Sequence, residues 1–242
     1  MRILRIIHTC YGVIVFFLLF ILFFFPLLIP VLFPGRFRLV GFLNRWWARL
    51  LFFLIGIPFS VIYRARLNPK GQYIFCPNHF SYLDIPAMGL NYYDAIFVGK
   101  NDMEKIPLFG FMYRKLHITV DRSRLKSRYS TLVRARKAID DGKSLIFFPE
   151  GGIVTEHDPE MGKFKDGAFR ISVEKQIPIV PVTIPYNWII LPADEFLVRW
   201  RPLKVIFHEP VDPSGYTLRD LDLYKQKVRQ VIEDELKRAD EN

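Results

Sequence analysis

The first 70 residues contain no aspartate and no glutamate, although they carry nine of the chain's 34 lysines and arginines. The rest of the chain has 25 basic and 24 acidic residues, so almost all of the net charge of +10 belongs to the first 70 residues. Basic residues beside apolar segments are typical of chains held at an anionic membrane surface. A nucleic-acid module would carry a basic stripe inside its folded domain. Nucleic acid is therefore not expected as a partner.

Cysteine is also scarce, with only Cys10 and Cys76 in 242 residues. Two cysteines provide neither a disulfide framework nor a CxxC metal site, and they favour a reducing, cytoplasmic setting. One loop places a histidine among carboxylates: Glu156, His157, Asp158 and Glu160. A polar loop is the simpler interpretation, because the sequence gives no ligand geometry. We expect no metal and no redox cofactor.

A long uncharged run follows the N-terminus, from residue 6 to residue 35. A helix over residues 10–33 would be about 36 Å long, which exceeds a hydrocarbon core of about 30 Å. Pro26, Pro30 and Pro34 cut into its second half, and a second uncharged run at residues 50–63 is shorter. The sequence therefore leaves open whether the front crosses the bilayer or lies within one leaflet.

Arginines and tryptophans lie between the two apolar runs, at residues 45–49. This is the composition expected where a chain meets the headgroup layer. We predict that residues 1–66 form membrane-associated N-terminal helices, and that residues 67–242 form one further domain. The membrane would be an inner or plasma membrane, with the second domain on its cytoplasmic side.

After residue 70, short apolar runs alternate with segments of helical period. The predicted strands are residues 73–76, 95–98, 118–120, 145–148, 179–184 and 204–207. Helices are predicted from residue 125 to Asp141-Gly142 and from residue 221 onward. This alternation predicts an α/β fold with a mostly parallel or mixed sheet flanked by helices. In such sheets the ligand site lies at the carboxyl ends of the strands.

His79 and Asp84 lie where a predicted strand passes into a helix. A histidine near neutral pH can act as a general base when a carboxylate fixes its tautomer. Five positions on one helix separate side chains by about 140°, so this pairing requires His79 to lie in the turn before the helix. Alternatively, Ser81-x-x-Asp84 matches a capping box, in which Asp84 only satisfies backbone donors.

A second strand opens into Phe148-Pro149-Glu150-Gly151-Gly152. Two glycines after an acid allow a ligand to approach the backbone closely. An ordinary turn is the alternative interpretation. No Gly-Lys-Ser/Thr follows, so this segment is not a P-loop.

Taken together, the chain from about residue 73 to residue 184 resembles the glycerolipid acyltransferase family. Six segments match the family's motifs in order: Asn78-His79 with Asp84, Lys100 through Pro107 to Gly110, Val120-Asp121-Arg122, Phe148-Pro149-Glu150-Gly151, residues 164–169, and Val180-Pro181-Val182. Gly152-Ile153 departs from the family, which has Thr-Arg after Glu-Gly. Without that arginine, Arg122 would bind the acceptor's phosphate with help from backbone N–H groups, Lys163 or Lys165.

The resemblance implies that His79 deprotonates an acceptor hydroxyl, which attacks an acyl thioester directly, and that Asp84 orients His79. It also implies that a larger set of residues binds substrate: Asn78, Lys100, Arg122, Glu150, Gly151, Gly152 and Pro181. The absence of a Gly-x-Ser-x-Gly elbow agrees with direct transfer.

We therefore predict a membrane-bound O-acyltransferase of phospholipid biosynthesis. Its donor would be an acyl carrier protein or coenzyme A thioester, and its acceptor a lysolipid, first of all 1-acyl-sn-glycerol-3-phosphate. The alternatives are a lyso-amino-acid lipid as acceptor, a hydrolase, or a catalytically silent lipid-binding protein anchored in the membrane. A basic cluster at residues 122–137 is either a solvated helix face or a docking surface for an acidic carrier protein, coenzyme A or anionic lipid.

Overall fold

The computed structural model describes residues 2–121, 123–153 and 159–240. The described helices are α1 (Arg2–Leu32), α2 (Arg38–Leu54), α3 (Asp84–Met88), α4 (Phe109–Leu116), α5 (Leu125–Asp140), α6 (Gly167–Lys175), α7 (Asn187–Ile190) and α8 (Leu221–Asp240). The described strands are β1 (Phe59–Tyr63), β2 (Ile74–Pro77), β3 (Ala95–Lys100), β4 (Ile118–Val120), β5 (Ser144–Phe147), β6 (Ile179–Thr183) and β7 (Leu203–Phe207). Short 3₁₀ helices cover Pro34–Arg36 and Asn101–Lys105.

The chain divides into two compact units, each assembled from three segments. Unit 1 comprises Met1–Ile62, Phe80–Asp94 and Ile184–Val205. Unit 2 comprises Tyr63–His79, Ala95–Thr183 and Ile206–Asn242. The boundary predicted between residues 66 and 67 remains a prediction.

The strands follow the order β1-β7-β6-β2-β5-β3-β4. β2 to β6 run parallel, with Ile74 opposite both Leu145 and Ile179, while β7 runs antiparallel to β6. Parallel strands covered on both faces read as continuous apolar runs, as Ile74 to Cys76 does. The predicted mixed α/β sheet is thereby confirmed, and all six predicted strands overlap observed ones, with ends that differ by at most two residues.

The structure corrects the prediction that the second apolar run, residues 50–63, is helical. Residues 50–63 do not form one helical segment, because α2 begins at Arg38 and ends at Leu54, and β1 follows. Gly56 has a φ of +69°, which a glycine adopts without strain, and Pro58 cannot continue a helix. The aromatic and β-branched residues after Pro58 then enter the sheet.

α1 also differs from the expectation, because it passes through Pro26 and Pro30 without ending. By length and composition it could cross a membrane, and only 17% of its most apolar window is buried. A helix of a protein core would be mostly covered, so α1 is not one. Most of its exposed residues are apolar: Ile3, Leu4, Ile7, Ile14, Phe17, Leu18, Ile21, Leu22, Phe25, Ile29 and Leu32, among others.

Within the described part of unit 1, the side-chain polar contacts of α1 to other segments lie in its first three turns. Arg5 forms an ion pair with Glu195 at 2.6 Å, and the Thr9 hydroxyl accepts the Val198 N–H at 2.9 Å. His8 Nε2 lies 2.8 Å from the Ile55 carbonyl oxygen. These bonds fix the beginning of the helix, while its later turns remain apolar.

Candidate active site

Chemistry-bearing residues of unit 2 follow neighbouring strands at the edge where the parallel strands end, here called the carboxyl edge. Asn78 and His79 come directly after β2, Lys100 ends β3, and Glu150 comes three residues after β5. β5 lies between β2 and β3 in the sheet. This is the edge at which an α/β sheet binds its ligand.

His79 lies in the turn between β2 and α3, as its proposed role as a base requires. Its ring stacks on Phe148 with 4.0 Å between ring centroids and 22° between the planes. Its backbone N–H donates to Glu150 Oε1 at 2.7 Å. The first and the fourth of the six sequence motifs therefore meet at this one histidine.

Glu150 is buried and divides its carboxylate between two segments of backbone. Oε1 accepts the His79 N–H, and Oε2 accepts the Gly162 N–H at 2.8 Å. Gly151 adopts a φ of +84° and donates its N–H to the Phe148 carbonyl at 3.0 Å. Glu150, predicted to bind substrate, is thus seen to position the backbone of His79.

Asp84 is buried at the first position of α3, in unit 1. Its Oδ2 accepts the N–H groups of Phe80 and Ser81, each at 3.0 Å, and its Oδ1 accepts Asn187 Nδ2 at 2.5 Å. The Ser81 hydroxyl accepts the Leu83 N–H. The bonds of the capping interpretation are therefore present. Both N–H groups bonded by Oδ2 belong to the two residues that follow His79 in the chain.

Asn187 is the site-forming residue that sequence reasoning missed. It begins the short helix α7 and is fully buried. Its distance of 103 positions from Asp84 leaves no local pattern to find it by. Its position three residues after the fifth predicted strand, near a strand's carboxyl end, was the available signal.

The other predicted substrate-binding residues occupy different surroundings. Asn78 is buried and donates its backbone N–H to the Val182 carbonyl, and Pro181 lies within β6 beside β2. Lys100 is exposed at the end of β3, and Gly152 is half-buried in the loop after β5. Arg122 lies outside the described residues, as do Glu156, His157 and Asp158.

Two histidines of unit 2 have structural roles. Burial lowers the pKa of His208 to about 4, and its Nε2 lies 2.8 Å from the Thr183 hydroxyl. Loss of hydration likewise lowers the pKa of His117 to about 4, and its Nδ1 accepts the Phe97 N–H. Among the described residues, no cluster of three or more histidine, cysteine or acidic side chains could hold a metal ion.

Comparison with known proteins decides the family. The model of the Acyltransferase family matches residues 59–185, more than half of the chain and a range that includes His79, Asp84 and Glu150. A 1-acyl-sn-glycerol-3-phosphate acyltransferase of Haemophilus influenzae is 30% identical over 212 residues, which cover 81% of this chain and 84% of that protein. The chain belongs to the glycerolipid acyltransferase family.

Two further comparisons concern fold and extent. The acyltransferase has the fold of the crystal structure of the 1-acyl-sn-glycerophosphate acyltransferase PlsC from Thermotoga maritima, with a TM-score of 0.80 at 20% identity. That match covers 100% of this chain and 99% of the other. A relative from Chlamydomonas reinhardtii, named as a 1-acyl-sn-glycerol-3-phosphate acyltransferase, is 26% identical over 180 residues, which are 73% of this chain and 54% of that protein. The chain thus spans about half the length of that relative.

Proposed function

We propose that this acyltransferase transfers a fatty acyl group from a thioester to the free hydroxyl of 1-acyl-sn-glycerol-3-phosphate, giving phosphatidic acid. The observation that carries the proposal is His79 at the carboxyl edge, held by the ring of Phe148 and the carboxylate of Glu150. The two relatives described above are 1-acyl-sn-glycerol-3-phosphate acyltransferases, which supports this choice of acceptor.

His79 serves as the general base in this proposal. Its imidazole takes the proton of the acceptor hydroxyl while that oxygen attacks the thioester carbonyl. The new carbon–oxygen bond forms as the carbon–sulfur bond breaks, and the departing sulfur takes the proton back from the imidazolium. Asp84 acts as the carboxylate that orients His79 and stabilises its charged form. Transfer is direct, so no acyl-enzyme intermediate is needed.

The acceptor's phosphate requires cationic or N–H partners. Lys100 at the end of β3 and the backbone around Gly151 and Gly152 are proposed for this role, with Arg122 as the guanidinium partner. Ile153 stands where the family has arginine, and this residue favours the second candidate, a lysolipid whose head group is not a phosphate. The donor is an acyl carrier protein thioester or an acyl-coenzyme A.

Membrane association is proposed to rest on α1. The acceptor and product are lipids, and the later turns of α1 expose an apolar surface that water would not stabilise. We place the protein on an inner or plasma membrane with its carboxyl edge on the cytoplasmic side, where acyl thioesters are available.

The test measures thiol release and diacyl product by the detergent-purified protein. Acyl-coenzyme A and acyl carrier protein thioesters are each offered with 1-acyl-sn-glycerol-3-phosphate or with a lyso-amino-acid lipid. We expect product from the phosphate acceptor, and at least a 100-fold loss of kcat in His79→Ala, the scale of general base catalysis. His8→Gln, which keeps a partner for the Ile55 carbonyl, is the matched control and retains activity.

Other outcomes contradict parts of the proposal. Product from the amino-acid lipid alone would retain the chemistry and replace the acceptor. Free fatty acid without diacyl product would indicate a hydrolase. If no combination of acyl donor and acceptor gives a product that depends on His79, a catalytically silent lipid-binding protein is the better interpretation.

A further inference from the structure

Unit 2 exposes an apolar stripe on α5. Leu125 and Tyr129 are 75% and 69% exposed, and Val133 is also exposed. These residues recur at every fourth position, so they lie on one side of the helix. The opposite side packs onto the unit through Thr131, Ala135, Ala138 and Ile139. The stripe thus lies on the outer side of a helix that is already packed.

Positive charge surrounds the stripe. Residues 122–139 contain seven lysines and arginines and no acid. Near the end of α5, Arg136 pairs with Glu174 at 2.6 Å and Lys137 with Asp141 at 2.9 Å. Near its beginning, Lys126 and Arg128 are exposed, and neither forms an ion pair within the described part of the chain. The uncompensated charge therefore lies around Leu125 and Tyr129, the most exposed apolar residues.

This end of α5 lies at the carboxyl edge. Leu125 comes five residues after β4 ends at Val120. In unit 2 the basic and apolar surface thus belongs to the rim on which His79 and Glu150 also lie.

We propose that this surface, the rim face (Leu125, Lys126, Arg128, Tyr129 and Val133), docks on the anionic surface of a lipid bilayer. Apolar side chains among lysines and arginines are typical of helices that lie in the headgroup layer. Basic residues there gain energy from anionic lipids, and the gain falls with salt. An acidic carrier protein would pair with the charges, whereas a bilayer pairs with the charges and also removes the apolar stripe from water.

The rim face thereby gives unit 2 a membrane contact that does not depend on α1. This proposal rests on the proposed function in one respect: docking would serve to present the carboxyl edge to a lipid acceptor. Docking itself can be measured without turnover, so failure of the acyl-transfer reaction and failure of docking are separate results.

The test places an environment-sensitive fluorophore on Tyr129→Cys in the full chain carrying Cys10→Ser. Cys76 is buried and does not react. The matched control is Leu223→Cys on α8, a leucine that is 60% exposed and that follows the exposed Asp222. Each protein is transferred from detergent to phosphatidylcholine vesicles with or without phosphatidylglycerol, and quenching by brominated lipid is recorded.

We expect a blue shift and quenching at position 129 in the anionic vesicles only, reversed by high salt, and neither effect at position 223. Each cation near an anionic surface contributes about fivefold to partitioning. Lys126→Ala with Arg128→Ala should therefore lower the docking constant about thirtyfold, whereas Lys227→Ala with Lys237→Ala on α8 should leave it unchanged.

Three results would overturn the proposal. The label at position 129 could keep its water-like emission in anionic vesicles, or both labels could respond alike. Alternatively, an acidic acyl carrier protein without vesicles could produce the shift at position 129, which would assign the rim face to a protein partner.

Discussion

Glu150 lies beside the proposed base His79, but its hydrogen bonds give it a structural role. A buried carboxylate that accepts two backbone N–H groups is strongly bound, because charge-assisted hydrogen bonds are about twice as strong as neutral ones. The two groups belong to His79 and Gly162, so one side chain joins the turn after β2 to the loop after β5. Loss of either bond should therefore move the base as well as destabilise the protein.

Substitution of Glu150 by glutamine tests this role. The amide nitrogen of Gln cannot accept an N–H group, so one buried donor loses its partner at a cost of about 1–3 kcal/mol. We expect a lower melting temperature and a lower kcat for Glu150→Gln. The control is Glu174→Gln, which removes a surface ion pair with Arg136 and should cost about 1 kcal/mol or less. Equal losses in the two variants would show that the buried bonds add nothing.

α4 requires a glycine inside a helix. A Cβ on Gly110 would overlap the Glu104 carbonyl oxygen, which is backbone and cannot move aside alone. The 3₁₀ turn Asn101–Lys105 thus packs directly against the helix backbone. The motif that runs from Lys100 through Pro107 to Gly110 therefore ends on a glycine for a steric reason.

Alanine at position 110 should destabilise the protein even though alanine is the better helix former by about 1 kcal/mol. The clash forces the helix and the turn apart, and we expect thermal unfolding at a lower temperature together with faster amide exchange in residues 101–116. Gly215→Ala is the matched substitution, because a Cβ there meets nothing within 4 Å. An unchanged or higher melting temperature for Gly110→Ala would contradict this packing.

The sequence predicts elements where one physical signal dominates. Buried parallel strands read as short apolar runs, and the end of α5 is marked by Asp141 and Gly142, whose φ is +84°. β1 was missed because its apolar residues continue those of α2, and only Gly56 and Pro58 separate the two. Among site residues, His79 and Glu150 are found from local motifs. Asn187 is not, because its bond to Asp84 is made only by the tertiary fold.

For the molecule as a whole, buried neutral histidines make stability depend on pH. The pKa of His208 falls from an ordinary 6.5 to about 4 because burial disfavours its charged form, and that of His117 shifts in the same direction. Between these pH values the unfolded chain binds more protons than the folded one. The free energy of unfolding therefore falls as the pH is lowered from 6.5 towards 4.

We expect each histidine to contribute up to about 1.4 kcal/mol per pH unit in this range. His208→Gln, whose amide can still bond the Thr183 hydroxyl, should flatten the dependence of the melting temperature on pH below 6.5. Its stability at pH 7 serves as the reference. Parallel curves for the wild type and His208→Gln would show that carboxylates alone cause the acid loss of stability.

The three-segment composition of unit 1 has a consequence for synthesis. Arg5 and Thr9 find their partners in residues 195–198, about 190 positions later. At about 5–20 residues per second, the ribosome needs about 10–40 s to make that stretch. Throughout this interval α1 is a nascent apolar helix without its contacts to residues 195–198. The membrane attachment proposed for α1 would thus precede the completion of the unit to which α1 belongs.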